Sequence, residues 1–328
     1  MNCIPLIFNE RQIKKTILGG VGTSQSSIVK NEIPCTLLLL NRGTNHFKQK
    51  NIETLIKLGF KEIISIESTR LNYQLEDFSQ RYPQVTFVIP QEKITTGEMI
   101  NIGISVSSYN SVLVVWNDIQ ISQTFVTEKM ITKLIEKDVF CVCPYLKSAH
   151  VSILPIKMQP IIENSNFNVN PRMVEKEYEN TLYPFDFMGL YNKQKFMQLG
   201  GFDYTITTPY WQNLDFSLRA WLWGEQIIIS KNLEMKYDDE SPSEDISPDE
   251  TQLRFFLKNC APKFSQDHAY IPKTKYFSFQ NRFSGNPFEA LTEFKKARKW
   301  VSINKYRFKT DVVALINAWN TTDVEGEQ

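Results

Sequence analysis

The sequence predicts an α/β protein built on a mostly parallel central sheet, with helices on both faces and a mainly helical C-terminal extension. Three observations carry this reading. Short apolar runs alternate with helical patterns from Cys35 to Trp116, and strands that alternate with helices make parallel βαβ units. The stretch Ser111-Val-Leu-Val-Val-Trp-Asn-Asp118 is a continuous apolar run that ends abruptly in a carboxylate. A buried parallel strand delivers a single acid to the open edge of its sheet in this way. With 328 residues, 42% of them hydrophobic, the chain can bury one large core and carry an appendage.

The expected strands are Thr36–Leu40, Glu62–Ile66, Val85–Ile89, Val112–Trp116, Val139–Cys143 and Gln226–Ser230, each a short apolar run. Between them the pattern predicts helices near Phe47–Leu58, Leu71–Arg81, Thr96–Ser108, Gln123–Lys137 and Asp215–Trp223, the last stopping at Gly224. The Asn- and Pro-rich residues 144–183 read as an irregular surface segment. The acidic stretch Asp238–Glu250, with two prolines and no large apolar cluster, reads as a loop or lid. Helices are expected near Gln252–Asn259, Phe288–Trp300 and Phe308–Asn320. This divides the chain into an N-terminal extension over 1–30, a nucleotide-binding α/β domain over 31–235, and an acidic loop with a helical extension over 236–328.

Charge and composition remove several function classes. The 37 basic and 36 acidic residues nearly cancel, so no general nucleic-acid binder is expected. Five cysteines in a chain of this length read as reduced, buried thiols rather than a disulfide framework. The start Met1-Asn-Cys-Ile-Pro-Leu-Ile-Phe has no basic n-region, and no segment approaches the run of about 18 apolar residues that a membrane span needs. The expected location is cytoplasmic, at most peripheral to a membrane. The basic, aromatic-interleaved runs Phe294–Val301 and Asn304–Lys309 are where membrane contact is expected, although a solvated helix face explains them as well.

The strand-end acid Asp118 is followed far downstream by Leu199-Gly-Gly-Phe-Asp203 and by Gln212-Asn213-Leu214-Asp215. This succession resembles the nucleotide-sugar glycosyltransferases of the GT-A fold, most closely family 2, over nearly two thirds of the chain. The resemblance implies transfer of a sugar from a nucleotide diphosphate sugar to a glycan or lipid-linked acceptor, assisted by Mn²⁺ or Mg²⁺. In the family an Asp-x-Asp signature holds a metal that bridges the two phosphates; here the first acid is Trp116 and only Asp118 remains. A histidine that completes such a metal shell resembles His268 in placement, more so than His46 or His150.

On the nucleotide side the resemblance assigns Asn41, Arg42, Glu67, Asn101, Asn117 and Asp118. Gly97-Glu-Met-Ile-Asn101-Ile-Gly103 matches the family's Gly-x-x-x-Asn-x-Gly, with Asn101 facing the nucleotide. On the acceptor side it assigns Gly200, Gly201, Asp203, Trp211 and Gln212, with Asn213 and Asp215 at the catalytic positions. Inverting members place an acid at the position of Asn213, and an amide cannot act as a general base. Retaining GalNAc transferases carry Glu-Asn-x-Glu there, which Gln212-Asn213-Leu214-Asp215 resembles as well. Asp215 is then the remaining acid, or else the N-cap of its helix. Leu18-Gly-Gly-Val-Gly-Thr23 resembles a nucleotidyltransferase phosphate loop but lacks the apolar strand before it and the Arg after it, and reads as a connector. The competing class is a catalytically degenerate GT-A protein that binds glycans or nucleotides.

Overall fold

The computed structural model describes residues 11–20, 33–42, 48–67, 75–122, 126–164, 166–283 and 285–325. Gly43, His46, Ser68, Val21–Thr23 and the beginnings of the helices expected at Phe47, Leu71 and Gln123 lie outside the described residues. In chain order the strands are β1 (Lys15–Gly19), β2 (Ile33–Leu40), β3 (Phe60–Ile66), β4 (Val85–Pro90), β5 (Ser111–Trp116), β6 (Ile119–Ile121) and β7 (Cys141–Lys147). A hairpin of β8 (Lys157–Glu163) and β9 (Asn166–Arg172) follows, then β10 (Gly189–Asn192) and β11 (Ile227–Tyr237). Among the described residues one nine-stranded sheet has the order β1-β4-β3-β2-β5-β10-β7-β11-β6.

The block β4-β3-β2-β5 is parallel, and its apolar runs explain it. Every residue of β5 is buried, as are Leu37–Leu40 of β2, because helices cover both faces. The antiparallel β10 lies between β5 and β7. Gly189 is required there, since a Cβ at that position would sit 2.4 Å from the Cys141 Sγ.

The helices are α1 (Lys48–Lys57), α2 (Leu75–Arg81), α3 (Thr96–Val106), α4 (Glu128–Ile135), α5 (Lys193–Leu199), α6 (Pro209–Leu222), α7 (Glu250–Phe255), α8 (Lys275–Gln280), α9 (Pro287–Asn304) and α10 (Val312–Glu325). Helix α3 begins with a capping box: Thr95 accepts from the Glu98 N–H and Glu98 accepts from the Thr95 N–H. It lies unusually close to the sheet. A Cβ at Gly103 would fall 2.3 Å from Leu38, and one at Gly97 would fall 2.5 Å from Phe202. These glycines serve helix packing, not an approach to nucleotide.

Four expectations change. The N-terminal connector carries β1, which pairs antiparallel with β4 from Lys15↔Pro90 to Gly19↔Thr86. Residues 144–183 are not irregular: β7 runs on to Lys147, and β8 and β9 form a seven-residue-per-strand hairpin. Helix α6 starts at Pro209, not at Asp215, because Pro supplies the first-turn geometry; Asp215 is mid-helix and cannot be its N-cap. The C-terminal expectation of a helix over Gln252–Asn259 resolves into α7 and a π turn over Phe256–Cys260. Of the described cysteines, Cys35, Cys141 and Cys143 are buried, and all four are free thiols.

Candidate active site

The sheet changes direction of winding between β2 and β5, which are adjacent and parallel with Leu40 opposite Trp116. Ligands of open α/β sheets bind beyond the strand ends at such a switch point. The register sets Asn41 and Arg42 beside Asn117 and Asp118. Asn117 fastens the two ends: its N–H donates to the Leu40 carbonyl, its side-chain amide donates to the Arg42 carbonyl, and its oxygen accepts from the Arg42 N–H. Asn41 donates to Ser65 Oγ and the Ile66 carbonyl, while Ser65 donates to Glu67 at 2.7 Å. Asn41 and the buried Glu67 are thus tied through Ser65 into one polar network at the ends of β2 and β3.

Arg42 is the centre of the crevice. Its Nε and Nη2 donate to the two oxygens of Asp118 at 2.7 and 3.0 Å, and its Nη1 donates to both oxygens of Asp186 at 3.0 and 2.8 Å. The guanidinium lies over the Trp116 ring at 4.5 Å, a cation–π contact available to a planar cation. Trp116 in turn donates its indole N–H to the Asp186 carbonyl. The aromatic that replaces the first acid of the motif therefore stacks on the cation that pairs with the second.

Asp186 comes from a tight turn, Phe185–Phe187, in which Asp186 (φ 53°) and Phe187 (φ 62°) both adopt left-handed backbone. Such conformations cost about 1–3 kcal/mol each outside glycine, and the surroundings hold them in place. Asn213 donates to the Pro184 carbonyl at 2.7 Å and Tyr191 donates to the Phe187 carbonyl at 2.9 Å. Tyr237, at the end of β11, donates to Asp186 at 3.0 Å. Burial pushes the Asp186 carboxyl up to about 6, against the pull of the Arg42 guanidinium.

The acidic segment after β11 packs on the same cluster. The Asp238 N–H donates to the Asp118 carbonyl. Glu244 accepts from the Tyr183 hydroxyl at 2.7 Å. Its carboxyl is pushed up to about 7 by burial, with the negative charge of Asp186 adding to the shift. Neither Asp186 nor Glu244 was singled out from the sequence. Asp186 hides in the aromatic run Tyr183-Pro-Phe-Asp-Phe187, where one acid among apolar residues is the available signal.

The residues assigned to the acceptor side are mostly not on a surface. Asp215 is fully buried: Lys258 donates to it at 2.9 Å, Arg219 at 3.0 Å and Asn259 at 2.7 Å. Asp203 is buried too, bonded to Lys258 at 2.8 Å and to the Thr205 N–H at 2.9 Å. Burial opposes the Asp203 charge, but the Lys258 ammonium and these hydrogen bonds outweigh it and hold the carboxyl well below the usual carboxylate range. The two carboxylates, Lys258 and Arg219 balance in charge, as a buried cluster must.

Gln212 ties α6 to α3, accepting from the Gly97 N–H and donating to Thr95 and to the Asp203 carbonyl. Asn101 grips the Phe202 backbone through both its amide atoms rather than facing a nucleotide. Gly200 and Gly201 have positive φ at the end of α5, and the Gly201 carbonyl accepts from Arg219. Trp211 is 7% exposed and donates to the Ser247 carbonyl. The structure thus gathers Asn41, Arg42, Glu67, Asn117 and Asp118 at the crevice and makes Asn101, Asp203, Gln212, Asn213 and Asp215 the ties beneath it.

His268 does not join Asp118. It lies in the hairpin β12 (Lys263–Ser265)–β13 (His268–Tyr270), pairs with Asp267 and packs near Tyr306. The adjoining Arg307–Phe308 stretch packs on Trp223, at the C-terminal end of α6, whereas Asn213 near the other end reaches the Asp186 turn. A rise of about 1.5 Å per residue separates these ends by about 15 Å. Among the described residues no group of three or more His, Cys, Asp or Glu could hold a metal ion, and each carboxylate oxygen of Asp118 and Asp186 already accepts from Arg42. This donor set does not fit a divalent cation.

The architecture is of the GT-A class. It is similar to the crystal structure of GalNAc-T7 with UDP, GalNAc and Mn²⁺, with a TM-score of 0.61 and 12% identity over 89% of this chain and 58% of that chain. It is also similar to S. aureus TarS 1-349 in complex with UDP-GlcNAc, with a TM-score of 0.48 and 11% identity over 81% of this chain and 71% of that one. The chain therefore spans 58% of the GalNAc-T7 chain it matches. No family model and no curated sequence matches it.

Proposed function

We propose that this chain is a glycosyltransferase that moves a sugar from a nucleotide diphosphate sugar to a glycan or lipid-linked acceptor. The observation that carries the reading is the Arg42–Asp118–Asp186 cluster at the β2/β5 switch point of a GT-A sheet. The likeness to a protein solved with UDP and GalNAc supports the same reading. Asn41 and Glu67 line the base and ribose side. Arg42 supplies the fixed positive charge for the diphosphate, exchanging one carboxylate for phosphate oxygens, a pairing suited to guanidinium geometry.

The acceptor oxygen forms its bond to the anomeric carbon as the bond to the diphosphate breaks, and its proton needs a base with a pKa near working pH. We assign that role to Glu244, which Tyr183 holds at 2.7 Å beside Asp186, and not to Asp215, which is fully buried and held by three partners. Asn213 acts by holding the turn that presents Asp186. A divalent cation held by Asp118 and Asp186 would have to displace Arg42. For a lipid-linked acceptor, Lys295 and Lys299 on α9 are exposed on a face that suits anionic head groups; no described helix is long and apolar enough to cross a membrane.

A panel of nucleotide sugars tests the reading, scored for a rise in Tm with and without Mn²⁺ and then for transfer to a broad acceptor set. The expected result is a Tm rise with at least one nucleotide sugar, and transfer that Glu244→Gln abolishes. Binding without hydrolysis or transfer favours the binding-module reading.

A further inference from the structure

A cavity of about 910 Å³ lies between the β8–β9 hairpin, the first turn of α6, α7 and Arg282, and none of the chemistry above uses it. Its volume is that of a ligand site. Its lining combines aromatic faces with side-chain amides: Phe167, Trp211 and Phe256 on one hand, Asn164, Asn168 and Gln252 on the other. Phe167 and Trp211 both pack on the buried Phe255, with ring centroids 5.8 and 5.5 Å apart, which makes a rigid apolar floor. A saccharide presents C–H faces that suit such a floor and hydroxyls that suit amides able to donate and accept.

The charge on the lining narrows the class further. Among the described lining residues Glu163, Asp249 and Glu250 stand against one cation, Arg282. That guanidinium is already engaged, donating to Asn166 at 2.9 Å and lying over the Phe256 ring at 5.5 Å. A net negative lining repels phosphate- or sulfate-bearing polymers and leaves uncharged chains as the fit. Pro248 and Asp249 of the lining continue the segment that carries Glu244. The segment that brings Glu244 to Tyr183 is pinned at its far end, where Trp211 donates to the Ser247 carbonyl and Thr208 donates to Asp249.

We infer that this cavity binds a neutral oligosaccharide; its role as the subsite for the acceptor chain rests on the transfer reaction proposed above. The site would then act on a glycan several sugars long rather than on a single sugar.

Full-length protein is titrated calorimetrically with cellohexaose, chitohexaose and maltohexaose, and with a heparin hexasaccharide as the anionic comparison. Parent, Gln252→Ala, Asn168→Ala and Phe167→Ala are compared. At least one neutral hexasaccharide should bind the parent, and loss of one amide should weaken it by about five- to tenfold. Gln252→Ala, on the rim, keeps the test valid if Phe167→Ala unfolds. The inference is overturned if no neutral hexasaccharide binds, if the amide variants bind as the parent does, or if heparin binds as tightly. A nucleotide-sugar Tm assay without oligosaccharide, on the same proteins, separates the two ideas. Cavity-dependent glycan binding with no nucleotide-sugar response sinks the transferase and leaves the cavity assignment standing; the reverse pattern sinks only the cavity.

Discussion

Lys258 donates to Asp215 at 2.9 Å and to Asp203 at 2.8 Å, so one ammonium from the C-terminal part bridges two buried carboxylates of the α/β part, whose remaining charge Arg219 offsets. Lys258→Met leaves those carboxylates with Arg219 alone. Removing one partner of a buried ion pair costs about 3–5 kcal/mol, and urea denaturation should show a loss of that order. Asp215→Asn should likewise act on stability, with nucleotide-sugar affinity of the folded protein unchanged; a selective loss of turnover at full stability would return Asp215 to the chemistry.

Arg42→Ala removes the counter-charge of Asp118 and Asp186 together. The bare carboxylates should then bind Mn²⁺ at least about tenfold more tightly than in the parent, measured by titration calorimetry, because attraction to a dication rises once the competing cation is gone. The same change should weaken nucleoside diphosphate binding in EDTA. Unchanged Mn²⁺ affinity would show that Arg42 does not occupy the cation's place.

Asp186 is pushed up to about 6 and Glu244 to about 7, and both lie above their unfolded values. The folded state therefore holds more protons than the unfolded state between about pH 4 and pH 7, and stability from these groups falls as pH rises through that window. The charged and polar groups facing them are Arg42, Asp118 and Tyr237 at Asp186, and Tyr183 and Asp186 at Glu244. Melting temperatures should decline from about pH 5 to pH 8, and Glu244→Gln should flatten the decline. Asp203, whose carboxyl is depressed, acts in the opposite sense and loses its stabilising effect only at strongly acidic pH.

Gly97→Ala places a Cβ 2.5 Å from Phe202 and 2.6 Å from Gln212. The resulting overpacking should cost about 1–3 kcal/mol, read from denaturant midpoints. A neutral effect would mean that α3 and α6 can separate without consequence for the loop between them.

The parallel block of the sheet was legible because Leu37–Leu40 and Val112–Trp116 are buried on both faces and so read as unbroken apolar runs. The edge strand β1 was not legible, since Lys15-Thr-Ile-Leu-Gly19 is largely exposed and its partner Val85–Pro90 comes only after β2 and β3 in the chain. The β8–β9 hairpin was masked by Pro160, Pro171 and its asparagines, residues that local pattern assigns to loops. At the crevice, the position of Asn41, Arg42 and Asp118 just beyond β2 and β5 was legible because strand ends can be read locally. The burial of Asp215 was not, because its partner Lys258 is 43 residues downstream and no local pattern announces that distance. The role of Trp116 as the platform for Arg42 needed both strands in register.

Because Asp203 and Asp215 share the ammonium of Lys258, the helical C-terminal part is not an exchangeable module. A neutral residue at position 258 is tolerable only alongside neutral residues at 203 or 215. Across descendants of this chain the three positions should change together, and a recombinant that takes its two halves from different ancestors should fold only where both halves carry the same charge arrangement.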